Sequence, residues 1–176
     1  MINQPEPPQS PPSAQLHLET VAVTAGRPEH VVDAPLNPPV VFASTYVGAH
    51  DTSAAKIGYG RYGNPTWQAL ERAIGALEGG RALIFASGMA AAHAVLEFMP
   101  AGGVIVIPRN CYIGVVEAID RRAAKYGWQV RRVNVAETAE VLAAANGADV
   151  VWIESPSNPT IEVADLPMLG KNLSPS

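Results

Sequence analysis

Tyr59-Gly60-Arg61-Tyr62-Gly63-Asn64-Pro65-Thr66 sets a rigid phenol two residues from a forked, permanently charged guanidinium. The two side chains suit one task, gripping a phosphate, because arginine offers parallel N–H donors and tyrosine a hydroxyl at fixed reach. Glycines loosen the loop, and Asn-Pro-Thr ends it where a helix can begin. A second phosphate-like signal is Ser87-Gly88-Met89-Ala90-Ala91, placed where a strand turns into a helix. Free N–H groups and the positive end of the helix dipole favour an anion there, and Gly88 permits close approach. The same five residues also read as a tight turn with Met89 in the core, and alone they decide nothing.

Two further groups carry polar chemistry. Tyr112 follows a strand end, where its ring can lie flat on a planar ligand or serve packing alone. Cys111 beside it reads as a small hydrophobe, since no histidine is placed to activate it. Asn158, in Ser-Pro-Ser-Asn-Pro, is an amide on a stiff turn, a ligand contact or ordinary turn chemistry. Glu154, just before that turn, is either a site residue or the polar end of a buried strand.

The elements that must position these residues follow from the apolar pattern. Thr66 is a candidate N-cap, Trp67, Leu70, Ile74 and Leu77 form a helical stripe, and Gly79-Gly80 ends it. Ala82 to Ala86 is a short apolar run expected to form a strand buried on both faces. A helix over Met89–Met99, a strand over Val104–Ile107 and a helix from Ile113 to Tyr126, stopped at Gly127, come next. A strand at Gln129–Val135, a helix at Glu137–Ala145 and a strand at Val150–Ile153 complete the series. Strands alternating with helices indicate an α/β chain with a parallel sheet. Ligands of such sheets bind beyond the carboxyl ends of the strands, where Ser87, Cys111-Tyr112 and Glu154-to-Asn158 would meet.

Around this region, residues 1–15 are proline-rich and polar and read as a disordered leader, and 16–58 as an extended arm. Residues 59–169 form the domain proper, and 170–176 an aberrant tail. The net charge of −4 comes with no basic block, which argues against nucleic acid or an anionic membrane as partner. The lone Cys111 and four scattered histidines offer no metal site. No apolar run approaches the roughly 20 residues of a membrane span, so the default location is cytoplasmic.

In this order, Tyr-x-Arg-x-x-Asn-Pro-Thr, Ser-Gly-Met-Ala-Ala, Cys-Tyr-x-Gly and Glu-Ser-Pro-Ser-Asn-Pro resemble the first half of a pyridoxal-phosphate enzyme of cysteine and methionine metabolism. The relevant group is that of cystathionine γ-synthase and γ-lyase. The resemblance implies the three-layer, parallel-sheet large domain of the aspartate-aminotransferase-like fold. It implies pyridoxal 5'-phosphate as cofactor, an amino-acid substrate, and a homodimer or homotetramer with shared active sites. Tyr59 and Arg61 would hold the cofactor phosphate in the neighbouring subunit, and Gly88 and Met89 would give that phosphate backbone N–H groups. Tyr112 would stack on the ring and assist proton transfer, and Asn158 would touch the phenolic oxygen. The parent reaction would be γ-elimination or γ-replacement on a sulfur amino acid or an activated homoserine.

The sequence departs from that pattern in several places. Ile113 stands where glycine is usual. Asp165 reads as a helix cap and not as the partner of the pyridine nitrogen. Neither Lys56, Lys125 nor Lys171 lies in the context of the family's Schiff-base lysine. The ending after Leu169 leaves the expected helical pattern and reads as a truncated or shifted reading frame. The expectation is a chain inactive by itself. The alternative is a non-catalytic phosphate- or nucleotide-binding module, or an assembly partner of a full-length homologue.

Overall fold

The computed structural model describes residues 16–48 and 57–173. The expected leader, Lys56 and the last three residues lie outside them. The chain divides into two compact units, one reaching to Ile84 and the other starting at Phe85. That division falls later than the expected boundary after residue 58.

The first unit contains α1 (Leu18–Thr24) and α2 (Pro65–Glu78), which pack on each other. The expected extended arm is therefore corrected at its start, where α1 forms. Asn64, and not Thr66, caps α2: its side chain accepts from the Thr66 N–H at 2.8 Å and donates to the Val41 carbonyl at 2.9 Å. The Thr66 hydroxyl accepts from the Val41 N–H instead, at 2.8 Å. Two polar side chains thus stitch the extended segment near Val41 to the start of α2. The stripe of Trp67, Leu70, Ile74 and Leu77 remains exposed, while the buried positions of α2 are Ala69 and Gly75.

The second unit contains α3 (Gly88–Leu96), β1 (Val104–Pro108), α4 (Ile113–Tyr126), β2 (Gln129–Val133), α5 (Thr138–Ala145), β3 (Val150–Val151) and α6 (Leu166–Leu173). The strands are parallel in the order β2-β1-β3, with Ile105 facing Val130 on one side and Val150 on the other. Side chains alternate across a strand, so β1 feeds two cores. Ile105 and Ile107 pack with Leu96, Ala118 and Ile119 of α3 and α4. Val106 points the other way, to Val141 of α5 and Leu169 of α6. Helices thus cover both faces of a parallel sheet, the three-layer arrangement the family resemblance implies. Gly127 ends α4 with φ of 72°, a left-handed cap that residues with a side chain adopt reluctantly.

Three local expectations are corrected. Ala82–Ala86 is not a strand: no described residue pairs with it, and Leu83 stays 70% exposed. β3 is shorter than Val150–Ile153, although the Trp152 N–H still donates to the Val106 carbonyl at 2.8 Å. The helical pattern does not stop at Leu169, because α6 runs to Leu173. There Leu169 and Leu173, four residues apart, pack on one core. Asp165 does cap that helix, its carboxylate accepting from the Met168 N–H at 3.0 Å.

Candidate functional site

Beyond the carboxyl end of the sheet in the second unit lies a cavity of about 480 Å3. It is lined by the start of α3 (Ser87, Gly88, Met89), by Tyr112 and Val115 of α4, and by Trp152 and Glu154 after β3. Ser87 caps α3, its hydroxyl accepting from the Ala90 N–H at 3.1 Å. The N–H groups of Gly88 and Met89 have no partner among the described residues. Two donors at the positive end of a helix therefore border the cavity, an arrangement suited to an oxyanion.

Gly88 has no structural reason to be glycine. Its φ is not in the left-handed region, and no atom lies within 4 Å of where a Cβ would stand. Gly88 itself lines the cavity. Tyr112 is 52% exposed and borders the same space. A Cβ on Gly114 would come within 2.8 Å of its ring and 3.2 Å of the Met89 sulfur, so the ring lies across Gly114 beside Met89. Glycine at 114 is thus a steric condition for this ring position.

Glu154 accepts three hydrogen bonds. Oε1 takes the Cys111 thiol at 3.1 Å and the Trp152 indole N–H at 3.2 Å, and Oε2 takes the Tyr112 N–H at 2.9 Å. Burial, followed by the Glu154 carboxylate, pushes the Cys111 thiol up to about 12. A thiol so held stays protonated, in keeping with its reading as a small hydrophobe.

Asn158 does not line the cavity. It lies exposed on a loop closed by Ser157 and Glu162, where the Ser157 N–H donates to the Glu162 carbonyl at 2.9 Å. The Asn110 amide donates to the Glu162 carboxylate at 3.0 Å, tying this loop to the turn after β1. That bond is the main reason the Glu162 carboxyl is held below its ordinary range.

Tyr59 and Arg61 belong to the first unit. Tyr59 bridges Thr45, and the Gly60 N–H donates to the Ser44 carbonyl at 2.7 Å. The Arg61 guanidinium stands 5.0 Å above the Tyr59 ring, and Tyr62 meets that ring edge-on. No carboxylate among the described residues forms an ion pair with Arg61, which leaves its donors available to an anion. Lys125 sits over the Tyr126 ring and Lys171 lies on α6, and neither lines the cavity. A wider groove of about 800 Å3 runs along α2 past Glu71 and Arg81. It contains none of the candidate cofactor-binding residues, and Glu71 is engaged by the Ile84 N–H.

The sequence model of the Cys/Met metabolism PLP-dependent enzyme family matches residues 19–173. The chain belongs to this family. Mouse cystathionine gamma-lyase is 34% identical over 88% of the chain, and the cystathionine gamma-synthase of Escherichia coli 33% identical over 84%. Among solved structures, metB from Corynebacterium glutamicum superposes with a TM-score of 0.77 at 28% identity, covering 89% of this chain. The chain spans 39% of the mouse and Escherichia coli enzymes and 42% of the solved metB chain. These matches give no support to a nucleotide-binding module or an assembly partner.

Pyridoxal phosphate is the cofactor of this family, and the cavity fits it. Two unpartnered N–H groups suit the phosphate, the missing Cβ at Gly88 leaves room for it, and an aromatic ring borders the space. The volume also falls within the roughly 300–1,000 Å3 of small-molecule sites. The sequence reading held Gly114 only as the last position of Cys-Tyr-x-Gly and gave it no role, did not single out Trp152, and left the role of Glu154 open. Two of its three hydrogen bonds, to Cys111 and the Tyr112 N–H, come from residues more than 40 positions earlier.

Proposed function

We propose that this chain provides the cofactor-holding part of a pyridoxal-phosphate enzyme acting on sulfur amino acids, with γ-elimination or γ-replacement of the cystathionine type as the reaction. Supporting this reading above all is the start of α3, with two unpartnered N–H groups and a glycine that its own fold does not require. There Gly88 and Met89 donate to the phosphate, and the dipole of α3 adds to the attraction. Tyr112 stacks on the ring, a contribution of about 0.5–1.5 kcal/mol beyond area burial, and its hydroxyl moves a proton at the substrate. Asn158, exposed on the loop that Glu162 closes, lies outside the cavity lining and is given no contact with the ring. Bound there, pyridoxal phosphate supplies an electron sink for negative charge developing on the substrate.

Tyr59 and Arg61 complete the phosphate grip in a second copy of the chain, which makes the working unit a homodimer or homotetramer in the cytoplasm. Light scattering that finds only monomer at micromolar concentration counters the shared site. Neither Lys125 nor Lys171 lines the cavity, and Lys56 lies outside the described residues, so no covalent link to the cofactor is part of this reading. Calorimetric titration tests the reading. Pyridoxal phosphate should bind at least about tenfold more tightly than pyridoxal, as expected when charge-assisted hydrogen bonds to the phosphate are lost. Equal affinity for the two removes the phosphate site.

A further inference from the structure

Glu154 lines a cavity read as holding an anionic cofactor, where a carboxylate repels the ligand. Such a residue needs another reason to be there, and its hydrogen bonds supply one. Both oxygens are engaged, and the donors come from two elements: Trp152 from the end of β3, and Cys111 with the Tyr112 N–H from the turn into α4. No cation among the described residues pairs with it. Bonds to a carboxylate are about twice as strong as neutral ones, so an ionised group is the firmest available clasp for this turn.

The clasp closes on the residue that matters. Tyr112 is the N-cap of α4, and its side chain makes no capping bond. Its N–H lies outside the helical ladder and donates to the Glu154 carboxylate at 2.9 Å. Its ring crosses Gly114, where a Cβ would collide with it at 2.8 Å.

We infer that Glu154 is a positioning residue: it clamps the Cys111-Tyr112 turn to the end of β3 so that the Tyr112 ring rests across Gly114 and faces the cofactor. The inference rests on the proposed reading only for what the ring does once placed. Where the ring sits is a property of the chain itself. Glu154 touches no reacting atom; it acts through Tyr112.

Nuclear magnetic resonance on the labelled full chain tests this without cofactor. In the wild type the Tyr112 amide should exchange slowly with solvent, and the ring should show contacts to the Gly114 α-protons and the Met89 methyl. In Glu154→Gln, with helical content unchanged, that amide should exchange at least about tenfold faster, the loss of one charge-assisted hydrogen bond. The ring contacts should disappear, as they should in Gly114→Ala. Alkylation of Cys111 should begin at lower pH in Glu154→Gln, because the carboxylate that helps keep its proton is gone.

Titration with pyridoxal phosphate then supplies the functional arm. Glu154→Gln should lose as much affinity as Tyr112→Ala, and the double variant no more than either. Persistent ring contacts and unchanged exchange in a folded Glu154→Gln overturn the inference, as does additive loss in the double variant. Should Glu154→Gln fail to fold, the wild-type amide decides: slow exchange supports the clamp and free exchange refutes it. A wild type that ignores pyridoxal phosphate but shows the ring contacts and their loss sinks the proposed function and leaves the clamp standing.

Discussion

At Gly88 the backbone angle is ordinary and the space beside it is open. Gly88→Ala should therefore leave the fold intact and stabilise it by about 0.4–1 kcal/mol, since alanine has less freedom to lose on folding. The same methyl stands where a phosphate would approach, so affinity for pyridoxal phosphate should fall. Denaturant unfolding beside a binding titration reads both effects, and a destabilised variant with unchanged affinity refutes the assignment. Cys111 gives a second prediction, with a definite sign. Its folded-state pKa is raised from 9.0 to about 12 by burial and by Glu154. The folded chain therefore keeps a proton that the unfolded chain releases between those values. The corresponding stability is complete below pH 9 and declines as pH rises toward 12. Iodoacetamide should modify Cys111 far more slowly than a free thiol at neutral pH, and rapid labelling of the folded chain contradicts this.

Elements built on local signals were legible from the residues alone. α4 begins and ends where the 3.6-residue spacing and Gly127 place it, and β1 follows from one apolar run between turns. Features that depend on distant partners were not. Asn64 and Thr66 are both good capping residues, and what selects Asn64 is its second bond to Val41, 23 positions earlier. Ala82–Ala86 has the composition of a buried strand, but a strand exists only through a neighbour, and none of the described residues pairs with it. α1 is seven residues long with four β-branched members among Leu18–Thr24, too short and too unpatterned for periodicity to reveal. The site followed the same division in part: Gly88 and Met89 at the start of α3 and Tyr112 at the start of α4 border one cavity, although among the described residues no strand precedes Ser87, whereas the role of Glu154 needed coordinates. The cap also yields a prediction for the element it starts. Asn64 is buried and bonds in two directions, so Asn64→Ala should cost about 1–3 kcal/mol, combining a lost cap with an unsatisfied carbonyl at Val41. Thermal or urea unfolding measures it, and a loss below about 0.5 kcal/mol puts the cap elsewhere.

Over the whole molecule, helices on both faces of a three-stranded parallel sheet bury Ile105, Val106 and Ile107 completely and bring three loops to one edge. Among the described residues no helix is long and apolar enough to cross a membrane. Tyr59 and Arg61 belong to the other unit, and both are exposed there. The edge of the sheet is where the chemistry is decided, and amide shifts recorded while pyridoxal phosphate is titrated into the labelled chain probe it most directly. The largest saturable changes should fall on Gly88, Met89 and Tyr112, and should be much smaller with pyridoxal, which has no phosphate. Changes centred on the groove along α2, or none at Gly88 and Met89 at saturation, contradict a phosphate site at the start of α3.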